Sequence, residues 1–313
     1  MVLGVSWPSK SSPTPTVVPQ APLLTPSPQL RVLDIDTEQI EIHELVGRRL
    51  GFRALGASTD RYCTGRTAFR ADGPPRYVPC PGRERAVGSG QCETCAGKDS
   101  FRFVHTVHRT GFVSRDLEKH VMQPHWLYLA AFANGAFKIG TAADTRKWGR
   151  LAEQGAICAR YVAHSDDGKA VRVAEDLVTE SMGLRQAVRS AAKAASLCLP
   201  IDVEKLDAAT ARRAAQVREM LTGAGIAGCT PIDDRWTPPA GREALSENVS
   251  RVAYPADVAT GSHGLAIRTC VGQAVIATVD DDTYVVDLAA LKGRRIELGA
   301  FTSDLPAVQS ALF

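Results

Sequence analysis

The sequence predicts a mixed α+β protein whose centre is a core of two strands, a helix, a strand and a helix. An Asn-Gly dipeptide between two apolar runs predicts a hairpin at residues 126–140. Beyond it, apolar residues at helical spacing flank an alternating segment, which predicts the helix, strand and helix up to residue 182. Four cysteines within residues 63–95 lie among short β-like segments, so a second structural unit is expected before the core.

The hairpin that opens the core follows from its turn residues. Two apolar runs, at residues 126–132 and 136–140, are separated by Ala133, Asn134 and Gly135. Asn and Gly tolerate the positive φ angles that a tight turn requires. Two adjacent antiparallel strands are therefore expected here.

The first core helix is expected to start at Asp144 or Thr145 and to end at Gly155. Either of the first two can cap a helix N-terminus, and glycine can adopt the left-handed conformation that ends one. Arg146 and Arg150 lie four residues apart and so share one polar face of this helix. The apolar residues of the segment fall on a different face.

The second half of the core reads as a strand at residues 157–163, a turn at 166–168 and a helix at 169–182. Glu175 lies at the edge of the apolar stripe of this helix. A carboxylate in that position needs a partner, either a metal or an arginine. Arg172, three residues earlier, is one such arginine.

The segments outside the core are assigned from composition and periodicity. Residues 1–28 hold seven of the eighteen prolines, which is typical of a disordered tail. Two helical patterns at residues 184–199 and 203–222 favour a helical hairpin. The C-terminal strands either form a small barrel or complete the N-terminal sheet. The expected division is 1–29 disordered Pro- and Ser-rich tail, 30–125 β-rich cysteine module, 126–200 core, 201–229 helix, 230–247 linker and 248–313 C-terminal β unit.

The clustered cysteines have the spacing of a metal site. Cys92 and Cys95 form a C-x2-C pair, and Cys63 and Cys80 are each followed by turn-forming residues that favour loop ends. Four thiolates complete the tetrahedron that Zn²⁺ accepts and leave no open position, so the expected zinc is structural.

The sequence is also compatible with a second set of zinc ligands. His105 and His108 follow Cys92 and Cys95 with the pattern C-x2-C-x9-H-x2-H. We prefer the four cysteines, because the alternation of the segment around His105 predicts a strand, which would send the two histidines to opposite faces.

Short motifs of the core, in matching order, resemble those of the GIY-YIG nuclease superfamily, whose core has the same ββαβα order. Lys138 stands where that superfamily has its second tyrosine, as in its Lys-Ile-Gly variants. The chain as a whole also resembles an uncharacterised prokaryotic family. The motifs are Leu-Tyr-Leu at 127–129, Phe-Lys-Ile-Gly-Thr at 137–141, Arg-Leu at 150–151 and Glu-Asp-Leu-Val at 175–178.

The resemblance implies roles for specific residues. Tyr128 would act in proton transfer, with Lys138 as a neighbouring cation that favours its anion. Arg150, or Arg146 as its rival, would contact the phosphate. Glu175 would hold one Mg²⁺ or Mn²⁺, acting as a Lewis acid in phosphodiester cleavage.

Local charge points to nucleic acid as the partner. Residues 46–120 contain fourteen Lys and Arg against seven Asp and Glu, whereas the whole chain carries a net charge of +3. Arginine dominates this surplus and suits bidentate phosphate contacts. DNA and RNA are not distinguished by this pattern.

No apolar stretch of about twenty residues predicts a membrane span. The opening residues lack the continuous apolar region of a secretory signal, and cysteines at metal-like spacing favour a reducing compartment. A cytoplasmic protein without a membrane partner is therefore expected.

Three hypotheses follow from the sequence. The first is an endonuclease that depends on a divalent metal and carries a structural zinc. The second is a catalytically degenerate, GIY-YIG-like module that binds nucleic acid. The third is an enzyme that uses the same core on a small molecule.

Overall fold

Strands and helices alternate along the chain in a computed structural model that describes residues 1–8, 26–70, 73–88, 90–105, 107–110, 114–184, 190–245 and 251–305. The strands in these ranges are β1 Val2–Ser6, β2 Gln29–Leu33, β3 Ile40–Glu44, β4 Arg49–Leu55, β5 Arg66–Arg70, β6 Gly73–Val78, β7 His125–Ala131, β8 Phe137–Ala143, β9 Cys158–Ser165, β10 Cys229–Arg235, β11 Val252–Ala253, β12 Ser262–Val271, β13 Ala274–Val279, β14 Asp282–Asp287 and β15 Arg295–Leu298. The α-helices are α1 Glu93–Lys98, α2 Val107–Thr110, α3 Arg115–Val121, α4 Lys147–Gln154, α5 Gly168–Met182, α6 Ser190–Ser196 and α7 Val203–Ala224. Short 3-10 helices cover Ser100–His105, Asp144–Arg146, Arg242–Leu245 and Leu288–Leu291.

The core follows the predicted order of two strands, a helix, a strand and a helix. β7 and β8 form an antiparallel hairpin in which Tyr128 lies opposite Gly140. Gly135 has a φ angle of 74°, and the Asn134 side chain accepts a hydrogen bond from the amide of Ala136. The Asn-Gly turn is thus confirmed by the structure.

The two core helices begin and end for local reasons. The Asp167 carboxylate accepts hydrogen bonds from the first amides of α5, and Gly183 ends that helix in the left-handed conformation. Gly155 ends α4 in the same way. Asp144 is not a cap of α4: its carboxylate accepts a hydrogen bond from the Trp126 indole at 2.6 Å, and α4 starts after a 3-10 turn.

The core sheet has a fourth strand that was missing from the prediction. β10 pairs antiparallel with β9, and the sheet order is β10-β9-β7-β8. The expected linker at 230–247 is therefore wrong for residues 230–235. The prolines and aspartates that suggested a loop fit an edge strand, since an edge has unpaired backbone groups and tolerates both.

The helical hairpin is also corrected. Ala214, Val217 and Leu221 of α7 pack with α5 against one face of the core sheet. Ala194 of α6 and Leu197, which follows that helix, instead pack with strands of the C-terminal sheet, in a cluster that the first two turns of α7 also contact. Most of the apolar stripe of α7 therefore faces the core sheet rather than α6.

The C-terminal strands complete a sheet with an N-terminal one, which was one of the two alternatives. The six-stranded sheet has the order β11-β14-β13-β12-β4-β15, with β4 hydrogen-bonded to both β12 and β15. Separate units at 30–125 and 248–313 are therefore wrong, because β4 belongs to the same sheet as β12–β15. Sequence-distant pairing of this kind leaves no local signal.

The expected disordered tail is wrong for residues 2–8. β1 pairs with β2, and Val2, Val5 and Trp7 are buried. The prolines of the segment begin at Pro8, so its average composition concealed a short strand in front of them. Residues 9–25 lie outside the described residues.

Because β4 belongs to the six-stranded sheet, the cysteine module comprises only residues 56–124, between β4 and β7. It contains the β5–β6 hairpin, helices α1 to α3 and a small core to which Phe69 and Leu117 contribute. His108 and Arg109 of α2 both contact the Asp176 carboxylate of α5. These two contacts join the module to the core.

Candidate functional site

The four predicted cysteine ligands lie together. The sulfur atoms of Cys63, Cys80, Cys92 and Cys95 are all within 4.8 Å of one another, and all four residues are buried. The Sγ atoms of Cys80 and Cys92 are 3.8 Å apart, which is too long for a disulfide. Four Zn–S bonds of about 2.3 Å in a tetrahedron would place sulfurs about 3.8 Å apart. The cluster can therefore hold a metal such as zinc.

The local backbone shapes this cluster. Cys92 is the N-cap of α1, and the amide of Cys95 donates a hydrogen bond to Cys92 Sγ at 3.4 Å. Burial raises the pKa of Cys92 to about 11 and also raises the pKa of Cys95. Buried thiolates need a compensating cation, and a bound metal supplies it.

The histidine alternative is not supported for His108. Its Nε2 lies 2.9 Å from Asp176 Oδ2, so the ring serves the contact between the module and α5. The side chain of His105 lies outside the described residues. The segment that carries His105 is a 3-10 helix, not the strand that the alternation favoured.

The predicted core residues Tyr128, Lys138, Arg150 and Glu175 are electrostatically coupled. Arg150 and Glu175 act in opposite senses on the pKa of both Tyr128 and Lys138. Burial raises the pKa of Tyr128, which is only 1% exposed, while the positive charge of Arg150 favours its anion. The four residues come from β7, β8, α4 and α5, so the fold brings together groups far apart in the chain.

Gly140 is required by this arrangement. It lies opposite Tyr128 in the hairpin, and a Cβ atom on it would lie 2.6 Å from the Tyr128 hydroxyl. No side chain fits at that distance, so the glycine of the Lys-Ile-Gly sequence makes room for the phenol.

Lys138 is a buried cation beside these groups. It is 8% exposed, and its ammonium group donates a hydrogen bond to Gln154 Oε1 at 3.0 Å. Burial first, and then repulsion by Arg150, lower its pKa to about 8. Lys138 is therefore not a solvated hairpin lysine.

Glu175 is not free to bind a metal in this arrangement. It is 4% exposed, and its Oε2 accepts a hydrogen bond from Arg172 Nη1 at 2.5 Å. The arginine three residues earlier is thus its partner, in a buried pair rather than an exposed one. A cation at this carboxylate would have to replace the guanidinium.

A cleft of about 220 Å³ lies between the cysteine module and the core. The module contributes Phe69, Phe101 and His120 to its lining. The core contributes His125, Thr141 and the three arginines Arg146, Arg150 and Arg172. The cleft wall therefore carries a concentration of positive charge next to aromatic rings.

The three arginines differ in their partners. Arg146 pairs with Glu153, and Arg172 pairs with Glu175. Arg150 forms no salt bridge within the described part of the chain. Of the two rival arginines, Arg150 is thus the one whose charge is available to a ligand.

Several cleft residues were missed by sequence reasoning. Phe69, Phe101, His120 and His125 carry no motif and come from different elements. Only a contact map between the module and the core would have grouped them. Burial lowers the pKa of His120 to about 4 and also lowers the pKa of His125, so both rings are neutral near pH 7.

The fold and the site define a mixed α+β protein with a cluster of four buried cysteines that could bind a metal. The chain belongs to the family described as "Protein of unknown function (DUF2797)", which matches residues 57–255. The matched stretch contains the cysteine cluster, the core sheet and the residues of the cleft. No curated protein and no solved structure matches the chain.

No helix within the described ranges combines the length and the apolar character that crossing a membrane requires.

Proposed function

We propose that this protein acts on nucleic acid and binds its phosphates in the cleft between the cysteine module and the core. The observation that carries the proposal is the convergence of Arg146, Arg150 and Arg172 on one cleft. Guanidinium groups match the geometry of phosphate oxygens and keep their charge at any physiological pH. The arginine surplus of the neighbouring module extends the positive surface that a polyanion needs.

The cysteine cluster holds a structural Zn²⁺ in this proposal. Four buried sulfur ligands leave the ion no open position for substrate. Its role is to fix the loops of the module, whose β5 strand and 3-10 helix form one wall of the cleft. Clustered thiols that bind metal also favour a reducing, cytoplasmic location.

The contribution of Arg150 to nucleic-acid binding can be tested by fluorescence anisotropy with a labelled single-stranded 20-mer oligonucleotide. Arg150→Ala should weaken binding about tenfold and lower the slope of log K against log salt by about one. Arg212→Ala is a matched control, because it removes an exposed arginine from α7, away from the cleft. Equal affinities for the two variants would contradict binding in the cleft.

A second candidate function is phosphodiester cleavage on a GIY-YIG-like core. The coupling of Tyr128, Arg150 and Glu175 favours it. Mg²⁺ or Mn²⁺ does not fit the arrangement described, because Arg172 occupies the Glu175 carboxylate. No catalytic step is therefore derived through a cation; Arg150 would stabilise charge on the phosphoryl oxygens, and Tyr128 would exchange a proton once its hydroxyl is exposed.

Cleavage can be assayed with branched, single-stranded and structured DNA or RNA in the presence of Mg²⁺ or Mn²⁺. Arg150→Ala and Tyr128→Phe should each abolish cleavage, because the proposed chemistry uses the charge of the first and the proton of the second. Cleavage unaffected by both substitutions would exclude this mechanism. Binding without cleavage would leave the nucleic-acid-binding function alone, and competition by a small-molecule metabolite would point to the third hypothesis.

A further inference from the structure

We infer that the cleft binds a single unpaired nucleotide, whose base stacks on an aromatic wall supplied by the cysteine module while its phosphate meets the arginines. This inference rests on the proposed function and names the form of nucleic acid that the cleft accepts. It assigns to Phe101 a binding role that no sequence motif indicates.

The aromatic wall is a continuous set of ring contacts. Phe101 stacks on Phe69 with ring centroids 5.9 Å apart and an angle of 7° between the planes. His120 packs against Phe69 at 4.9 Å and against His125 at 6.1 Å. All four rings line the cleft. They form a surface of the kind on which nucleobases stack irrespective of sequence.

The exposure of the wall distinguishes a binding surface from a core. Phe69 is buried in the hydrophobic cluster of the module. Phe101 is 38% exposed although it lines the cleft and stacks on Phe69. Large apolar side chains at a concave, charged site are typical of ligand contact. Phe69 thus supports the Phe101 ring from inside the module, and the exposed part of the Phe101 ring can contact a ligand.

The charge of the two walls is complementary to the two ends of a nucleotide. Arg146 lies in the 3-10 turn before α4, Arg150 lies in α4, and Arg172 lies in α5. The aromatic rings face the same cleft, three from the module and His125 from β7, and the two histidines among them are neutral near pH 7. One wall therefore suits an uncharged flat base, and the other suits an anion.

The stacking wall favours an unpaired base over a base pair. A duplex offers the faces of its stacked bases only at its ends, so a base has to be unpaired to lie against the Phe101 ring. Single-stranded or unpaired nucleic acid is thus the expected ligand.

The inference is tested with two labelled 20-mers of equal length and charge, one normal and one made entirely of abasic sites. The wild-type protein should prefer the normal strand, because stacking of one base on an aromatic ring is worth roughly 5- to 150-fold in affinity. Phe101→Ala should remove most of this preference and leave the affinity for the abasic strand unchanged. Phe103→Ala is the matched control, since it is also 38% exposed and lies in the same 3-10 helix but not in the cleft lining.

The outcomes separate the inference from the proposed function. Loss of the preference in Phe101→Ala but not in Phe103→Ala supports the stacking wall. If Arg150→Ala weakens both strands while Phe101→Ala changes neither, phosphate binding stands and the stacking wall is wrong. If the wild-type protein binds neither strand, both the function and the inference are overturned. Circular dichroism and zinc content of the Phe101→Ala protein verify that its module is folded.

Discussion

The cysteine cluster and the arginine-lined cleft both involve the same module, yet they satisfy their chemistry in opposite ways. Each cysteine is buried, and each has the other three sulfur atoms within 4.8 Å. The cleft instead gathers three guanidinium groups against two carboxylates, those of Glu153 and Glu175. The first site is complete once a metal is bound, whereas the second keeps an excess of positive charge facing a cavity.

This difference indicates which site stabilises the protein and which costs stability. Structural metal ligands contribute folding free energy when the metal binds. A buried charge such as that of Lys138, close to Arg150, raises the free energy of the folded chain, as its lowered pKa indicates. Substitutions should therefore destabilise at the cysteines and stabilise at Lys138.

The largest effect is expected at the cysteine cluster. Cys92→Ser removes one sulfur ligand and should lower the zinc content measured by elemental analysis from about one ion per chain to nearly none. It should lower Tm by about 10 °C or more, because metal binding supplies several kcal/mol of folding free energy. Cys198→Ser, at a half-buried cysteine outside the cluster, is the control and should leave both quantities unchanged. A metal-free protein that melts like the wild type would contradict the structural role.

The second-largest effect on stability is expected at the buried pair of Arg172 and Glu175. Arg172→Met leaves a buried carboxylate without its partner and should cost about 3 kcal/mol in the free energy of unfolding. The double variant Arg172→Met, Glu175→Gln removes both charges and should cost clearly less. Urea denaturation of both single variants and the double variant gives the coupling energy, expected near 2 kcal/mol. Additive costs would mean that the two side chains do not depend on each other.

A substitution at Gly140 should have a smaller effect on the free energy of unfolding. Gly140→Ala places a Cβ atom against the Tyr128 ring and should cost about 1–3 kcal/mol, measured by urea denaturation. Gly223→Ala is the control, because its Cβ atom meets nothing within 4 Å and α7 should gain about 0.5–1 kcal/mol. Unchanged stability of Gly140→Ala would show that the hairpin and the phenol adapt to each other.

Sequence reasoning reached these two sites with different success for a physical reason. The spacing of Cys92 and Cys95 is a local property, and the four ligands fall within residues 63–95. The Asn-Gly turn and the periodicity of the helices are local as well, so the element order of the core could be predicted. Phe101 and Arg172 meet in the cleft only because the module docks on α5, and such a contact has no sequence signature.

Burial was the property that sequence patterns described least well. Lys138 and Glu175 both have a plausible exposed position in a hairpin and on a helix edge, but both are almost inaccessible. The same limit applies to β4 and β10, whose sheet partners lie far away in the chain or are hidden by loop-like composition. Which residues share a site depends on tertiary packing, while the type of each element depends on neighbours in sequence.

The smallest effect concerns the pH dependence that Lys138 gives to stability. Its pKa is about 8 in the folded chain against 10.5 ordinarily, mainly because burial disfavours its charge. Below pH 8 the lysine is protonated in both states, and the folded chain bears the full penalty. Between about pH 8 and pH 10.5 the unfolded chain holds more protons, so this group makes the free energy of unfolding rise with pH.

Lys138→Met should therefore be more stable than the wild type at pH 7, by about 1–2 kcal/mol, and this advantage should shrink as the pH rises through that window. Urea denaturation at a series of pH values measures the difference, which cancels the titration of groups common to both proteins. Lys193 has its pKa lowered to about 8 as well and remains in both. Lys205→Met, at an exposed lysine, should show no such pH-dependent difference. If Lys138→Met is instead less stable at every pH, the hydrogen bond of Lys138 to Gln154 outweighs the cost of its buried charge, and this lysine does not strain the folded chain.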